Sequence, residues 1–469
     1  MIRVLFFLAF VSIVGLSSVA GSRYPGEWAV YLAFTIAANG LLLAGFRKEA
    51  LYFDTFIGVF LWLGFWLKLS IRVAFAGGVF AEPVGMFDSS PESFDAVLLA
   101  ASASFATLFL ASFVRERFFT YPSESPGCGD SGLFMFYRRH RRAVVAVFGL
   151  AVLLVTFSNV WLEIYQRGMV ARTVLPFGLN GVYKWALQFG LASVAALIVR
   201  FELELGRSLT PLAVVVPIVE GFLSNTAMLS RGMVLNVAAI ALGGLRTMLS
   251  QKMRIDALRL GIAAALFCLL FVGSVLLVNY LRIATFNPGE AGLRSQTSEV
   301  TRSMTAPLFI DRWVGIEGLM AVSSSGIQGW ELWRTAWQEK FKEGTPSLYD
   351  ARLIASPYLN PGIDRDRNHF VSLPGIVAFL YYPGSILFLC AALLVVAWSA
   401  ALLEILTYHF CGRNFVLCAL FAQVIAFRCA SFGYVPAQSY LLFGSLILNG
   451  VLILGAERVL RVFNRSGAR

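Results

Sequence analysis

The chain reads as an all-α polytopic membrane protein: about twelve transmembrane helices, with one large outer loop between the ninth and the tenth. Three observations carry this expectation. Hydrophobic residues make up 58% of the 469 and charged residues 14%, which leaves too little polar cover for a soluble domain of this size. Apolar runs of roughly 17–25 residues, each long enough to cross the hydrocarbon core, recur along the whole length. Lysine and arginine gather between alternate runs, the asymmetry that marks cytoplasmic loops.

The first run, 4–20, follows Arg3 and ends in Ser18-Val19-Ala20. That pattern is shared with signal peptides, and it is read here as an uncleaved first span. Spans follow at 28–45 and 53–76, the second carrying Lys68 and Arg72 one helical turn apart near its outer end. The acidic outer loop 77–94 leads to a span at 95–114. A cytoplasmic linker, 115–142, is turn-rich through Tyr121-Pro122 to Asp130. Spans at 143–163 and 181–199 flank a basic outer loop, and Lys184 opens the latter span. Glu220 falls in the outer half of span 209–226, and Arg231 opens span 232–248. Span 260–280 leads into the large loop. The run 374–402 is overlong and holds Pro383-Gly384, so it reads as a short re-entrant piece followed by a full span. Spans 414–430, with Arg428 at its outer end, and 437–456 complete the set. Three regions result: 1–281 with nine spans and short loops, 282–372 as the large outer loop, and 373–469 with the last three spans.

The formal net charge of +11 is accounted for by topology. With the N-terminus inside, more than half of the 38 Lys and Arg fall on the cytoplasmic side, among them Arg47, Lys48, the Arg138-Arg139-His140-Arg141-Arg142 run, Lys252, Arg254 and the C-terminal Arg458, Arg461, Arg465 and Arg469. The short outer loops hold only Arg23, Arg167, Arg172 and Arg231. Both termini are therefore expected in the cytoplasm, and nucleic acid is not expected as a partner. None of the six cysteines lies in the large loop and no two form a CxxC pair. Neither a disulfide framework nor a zinc or redox site is expected.

In the large loop, Trp330, Trp333, Trp337 and Phe341 recur at helical spacing, opposite Glu331, Arg334, Gln338 and Lys342. Such a face suits either the membrane interface or packing on the rest of the loop. Cations also collect at the outer ends of the spans, where the charge rule disfavours them: Lys68, Arg72, Lys184 and Arg428, joined by Arg167, Arg172, Arg231 and Arg282. A lipid diphosphate in the outer leaflet would give them a common partner. Arginine forks match phosphate oxygens, and preplaced cations stabilise a departing diphosphate. Taken singly, each can instead snorkel to the interface or pair with Glu163 or Glu220. Of the three histidines, His140, His369 and His409, only His369 is expected outside, where it would suit a general base. Glu220 is the alternative base.

Three short motifs resemble those of the O-antigen polymerases, the Wzy-type oligosaccharide repeat-unit polymerases, within the wider polymerase and ligase group of GT-C-like enzymes. They are Ser230-Arg231-Gly232-Met233 opening a span, the basic loop from Arg167-Gly168 through Arg172 to Leu175-Pro176-Phe177-Gly178, and Asn368-His369 followed by Leu373-Pro374-Gly375-Ile376 and Tyr381-Tyr382-Pro383-Gly384. The architecture is similar along nearly the whole length. In one respect the chain departs: the Arg167-to-Gly178 spacing has no counterpart in the large loop, which puts an acceptor-binding role for that loop in doubt. The Asp364-Arg365-Asp366 form, a metal site in some glycosyltransferases, reads here as a solvated turn. No metal or cofactor is expected, and no GxSxG, HExxH or P-loop pattern is present.

The resemblance implies an inverting membrane glycosyltransferase of the bacterial inner membrane. It would polymerise undecaprenyl-diphosphate-linked oligosaccharide repeat units into O-antigen, capsule or exopolysaccharide at the periplasmic face. Arg167, Arg172 and Arg231 would contact the diphosphate, with Arg282, Lys68, Arg72 and Arg428 as further candidates, and His369 or Glu220 would act as base. A chain-length regulator and a flippase are the implied protein partners. Two other readings stand beside it: a ligase that transfers glycan to lipid A core, and a flippase for lipid-linked oligosaccharide.

Overall fold

The computed structural model describes residues 2–122, 124, 127–129, 131–230, 232, 234–286, 310–356 and 366–466. Helices account for nearly all of the regular structure. No strand occurs among the described residues, only two isolated bridges, Met169 with Asn368 and Ser208 with Arg254. We number the helices α1 Ile2–Arg23, α2 Trp28–Gly45, α3 Tyr52–Phe75, α4 Pro91–Glu116, α5 Gly132–Leu162, α6 Pro176–Gly206, α7 Pro211–Ala227, α8 Val234–Ser250, α9 Ala257–Phe286, α10 Ile316–Ser323, α11 Trp330–Gln338, α12 Leu348–Arg352, α13 Ile376–Leu380, α14 Ile386–Phe410, α15 Phe415–Ala430 and α16 Ser439–Ser466. Eight helices among the described residues are long and apolar enough to cross a membrane, and shorter apolar helices stand at Phe10–Arg23, Pro211–Ala227, Val234–Ser250 and Phe415–Ala430. This is an all-α, multi-pass membrane protein.

Burial runs opposite to apolarity, as a lipid solvent requires. The most apolar helices, α9 and α14, are among the least buried, and they leave Leu269 and Leu387 70% and 81% exposed. Water would penalise that surface by about 25 cal/mol per Å²; hydrocarbon does not. The interior is built instead on α15, almost wholly buried, which packs between α3 and α8.

Local chemistry sets many of the boundaries. Polar side chains accept from the first free backbone N–H groups of a helix: Ser90 for α4, Ser131 for α5, Thr210 for α7, Ser385 for α14 and Asn414 for α15. Pro91 and Pro211 stand at first-turn positions, where no N–H is missed. The overlong apolar run divides into α13 and α14 at a turn in which Gly384 takes φ of 78°. Carboxylates also cap neighbouring helices. Glu404 accepts from Tyr52 N and Phe53 N at 2.8 Å, and Glu457 accepts from Gly132 N and Leu133 N.

Contacts sort the loops into two ends. At one end Arg246 donates to the Lys48 and Ala50 carbonyls, Lys252 pairs with Glu124, and Glu404 accepts from Tyr121. At the other, Tyr24 donates to Asp95, the Arg167 N–H reaches the Met228 carbonyl, and Val435 N–H donates to Glu339. This second, loop-rich end carries α10 to α13.

Candidate functional site

The loop-rich end is anchored on α3. A π turn at Trp62–Leu67 interrupts that helix just before Lys68. Gly64, within the turn, lies so close to Val314 and Gly315 that a Cβ would overlap the Val314 carbonyl. One turn on, Lys68 is 1% exposed, with Nζ donating to the Asp311 carbonyl at 2.8 Å and to Glu317 at 2.9 Å, and also to the Trp313 carbonyl. Arg72 forks onto the Asp311 carboxylate. An ammonium has three protons, and all three of Lys68 are committed. In the structure Lys68 and Arg72 fasten the large segment to the bundle, and each proton of the Lys68 ammonium has an acceptor there.

Arg172 is paired with Glu163 at 2.7 Å on the surface, the alternative weighed for it from sequence. Arg282 donates to the Leu229 carbonyl at 3.4 Å. Arg231 lies outside the described residues, as do Asp364 and Arg365.

Arg167 and Arg428 are different. Both are half-buried. The Arg167 guanidinium lies 5.9 Å from the Phe427 ring centre, and Arg428, the next residue, feels its charge. Arg428 donates to Ser439 Oγ at 3.2 Å and lies over the Phe432 ring. Lys184 adds a third, exposed cation over the Tyr165 ring at 5.5 Å. Among the described residues, no carboxylate lies within ion-pair distance of Arg167, Lys184 or Arg428, whereas Lys68, Arg72 and Arg172 each have one. Cations held together without counter-charge form a site for an anion with several oxygens.

Backbone pairing brings His369 to the same end. Val170 N–H donates to the Arg367 carbonyl and His369 N–H to the Gly168 carbonyl, both at 3.0 Å. The segment after Arg167 is thereby zipped to the segment that carries His369. The imidazole Nε2 lies 3.0 Å from the Tyr434 hydroxyl, Phe341 packs on the ring edge, and Nδ1 is buried without a partner. Burial lowers the pKa of His369 below the usual histidine value, against a smaller opposing pull from Glu343 and Asp350. The ring is thus neutral near pH 7 and able to accept a proton. Tyr434 and Arg428 lie on the two sides of the turn that ends α15. Glu220 lies elsewhere: it is buried in α7, about 10 Å along the axis from Ala227 at the helix end.

Asn159 fixes the floor of the site. Its amide donates to the Tyr165 and Ala227 carbonyls and accepts from Tyr165 N–H. Sequence reading had no signal for Asn159, an isolated amide late in an apolar run. Tyr434 was missed as well, though the Gly433-Tyr434-Val435-Pro436 turn marks a loop beside a span end. The aromatic helix α11 packs on α13 and α14, which lie outside the large loop. Trp333 packs on Phe379 and Phe388 at 4.9 and 5.1 Å, while Trp330 and Trp337 remain half exposed.

Comparison with family models, with curated proteins and with solved structures finds no match to this chain.

Proposed function

We propose that the chain is a membrane glycosyltransferase of the bacterial inner membrane that polymerises undecaprenyl-diphosphate-linked oligosaccharide repeat units. In this reading the twelve apolar helices all cross, both termini are cytoplasmic, and the 282–372 segment covers the periplasmic face. The regular alternation of connecting loops between the two ends supports that topology. The observation that carries the functional reading is the pair Arg167 and Arg428, close together at the loop-rich end, with no carboxylate among the described residues to neutralise either.

The chemistry is a single displacement. An acceptor hydroxyl of one lipid-linked repeat unit attacks C1 of the growing glycan on another, and the bond from C1 to the diphosphate oxygen breaks with inversion. Arg167 and Arg428, with Lys184 over Tyr165 and Arg231 as the further candidate from sequence, take up the charge that develops on the leaving diphosphate. In the tautomer whose Nε2–H donates to Tyr434, His369 Nδ1 is the nitrogen left to receive the hydroxyl proton.

The test is deletion of the gene in its source bacterium, followed by gel analysis of surface glycans. Core capped with a single repeat is the expected result. Bare core with long polymer left on undecaprenyl diphosphate would identify a ligase, and bare core with single repeats held in the inner leaflet a flippase. Complementation with Arg428→Ala should leave the deletion pattern unchanged at normal protein level.

A further inference from the structure

Away from the cation site, α7 and α9 carry a set of polar side chains that glycosyl transfer does not use. On α7, Glu220 and Ser224 are 1% and 0% exposed, and the Ser224 hydroxyl donates to Glu220 Oε1 at 2.8 Å. The adjacent Asn225 donates across the helix interface to Ser274 Oγ on α9. Asn279, further along α9, is 3% exposed. Arg282, one turn beyond it, reaches the Leu229 carbonyl at the loop-rich end.

Two of these side chains are unsatisfied. Among the described residues, Glu220 Oε2 and both polar atoms of Asn279 are buried with no hydrogen-bond partner. Each unmet buried group costs about 1–3 kcal/mol, and native interiors relieve that cost with ordered water where the surroundings are polar. The polar set is also one-sided. From Pro211 to Val219, α7 holds only apolar residues, and from Leu260 to Gly273, α9 holds none more polar than Cys268. Steps of about 1.5 Å per residue put Glu220 about 13 Å below Leu229, with polar groups leading only toward the loop-rich end.

We propose that Glu220 is a proton-binding site inside the membrane, reached from the loop-rich end by a hydrated path along Ser224, Asn225, Ser274 and Asn279. The proton comes from water at that end, binds Glu220 Oε2 to give the neutral acid, and returns by the same route. The charged groups on the helices packed around α7 do not compete for it. Lys184 and Arg282 lie toward the loop-rich end, and Arg141, Glu202, Arg246 and Arg259 toward the other. Among the described residues, Ser224 is the hydrogen-bond partner of the Glu220 carboxyl. Intramembrane carboxylates with a polar approach from one side act as proton sites in pumps and transporters. This site does not depend on the glycosyltransferase reading.

Infrared spectroscopy of the full chain in nanodiscs tests the proposal. A carboxylic-acid C=O band should appear as the pH is lowered, and Glu220→Gln should remove the Glu220 component of it while that of the equally buried Glu404 stays. On rapid transfer to D2O the Glu220 component should shift, at least about tenfold more slowly in Asn279→Leu than in wild type. Ser274→Ala, which removes a single hydroxyl, reads the same path if the leucine variant does not fold. A carboxylic-acid band of unchanged amplitude in Glu220→Gln would overturn the proposal. So would exchange in the folded path variants as fast as in wild type.

Discussion

Residue identity alone does not separate the cations at the outer ends of the spans; their partners do. Lys68 and Arg428 look equivalent in sequence, each a cation near the outer end of an apolar run, yet Lys68 meets Glu317 and Arg428 meets no carboxylate among the described residues. The missing information was long-range, because Glu317 is 249 residues away. A glutamate inside the apolar stretch Ile316–Ser323 was the available hint. Lys68→Met should destabilise the protein by about 3–5 kcal/mol by leaving Glu317 buried without a counter-charge. Lys68→Met with Glu317→Leu should recover most of that loss, as measured by denaturation in detergent. His369→Ala should lower turnover by about 10²–10⁴-fold with little change in lipid binding. Because burial holds the folded His369 below its unfolded pKa, the neutral form is the competent one. Wild-type turnover should fall as pH drops through a midpoint below the usual histidine value, and that limb should be missing in His369→Ala. The same depressed pKa means stability is lost on acidification, since the unfolded chain binds the proton more readily.

Elements were more legible than sites. Apolar run length is fixed by membrane thickness, so most spans stand out without knowledge of their neighbours. Ser-Pro and Thr-Pro pairs at Ser90-Pro91 and Thr210-Pro211 announce helix starts directly. What sequence does not show is backbone detail that depends on packing. The π turns at Trp62–Leu67 and Ala186–Gly190 have no compositional mark, since their residues suit an α-helix equally. The first of them sets Gly64 against Val314. Gly64→Ala should therefore lift the segment around Trp313, at a cost of about 1–3 kcal/mol. Limited proteolysis between Asp311 and Arg352 should become faster in that variant, while the digestion pattern of α5 stays unchanged.

For the molecule as a whole, charge asymmetry and the two-ended sorting of contacts agree on one arrangement. Arg246, Lys252 and Glu404 gather linkers at one end, and Asp95, Glu339 and Tyr434 gather loops at the other. A reporter fused after Met320 should read periplasmic; a cytoplasmic reading there would reverse the topology and remove the lipid-diphosphate account with it. The cation site was legible in sequence only as a surplus of positive charge at one depth. Its narrowing to Arg167 and Arg428 required the carboxylates of distant segments. The central claim is that this pair serves a lipid diphosphate whose glycan is transferred. The most direct measurement incubates the purified full chain in nanodiscs with the undecaprenyl-diphosphate-linked repeat unit of its source strain and follows chain length and free undecaprenyl diphosphate together. A ladder of products with one lipid diphosphate released per repeat added, falling by about 10²–10³-fold in Arg428→Ala, is the predicted result. No elongation by the wild-type protein, or equal elongation by the variant, would contradict it.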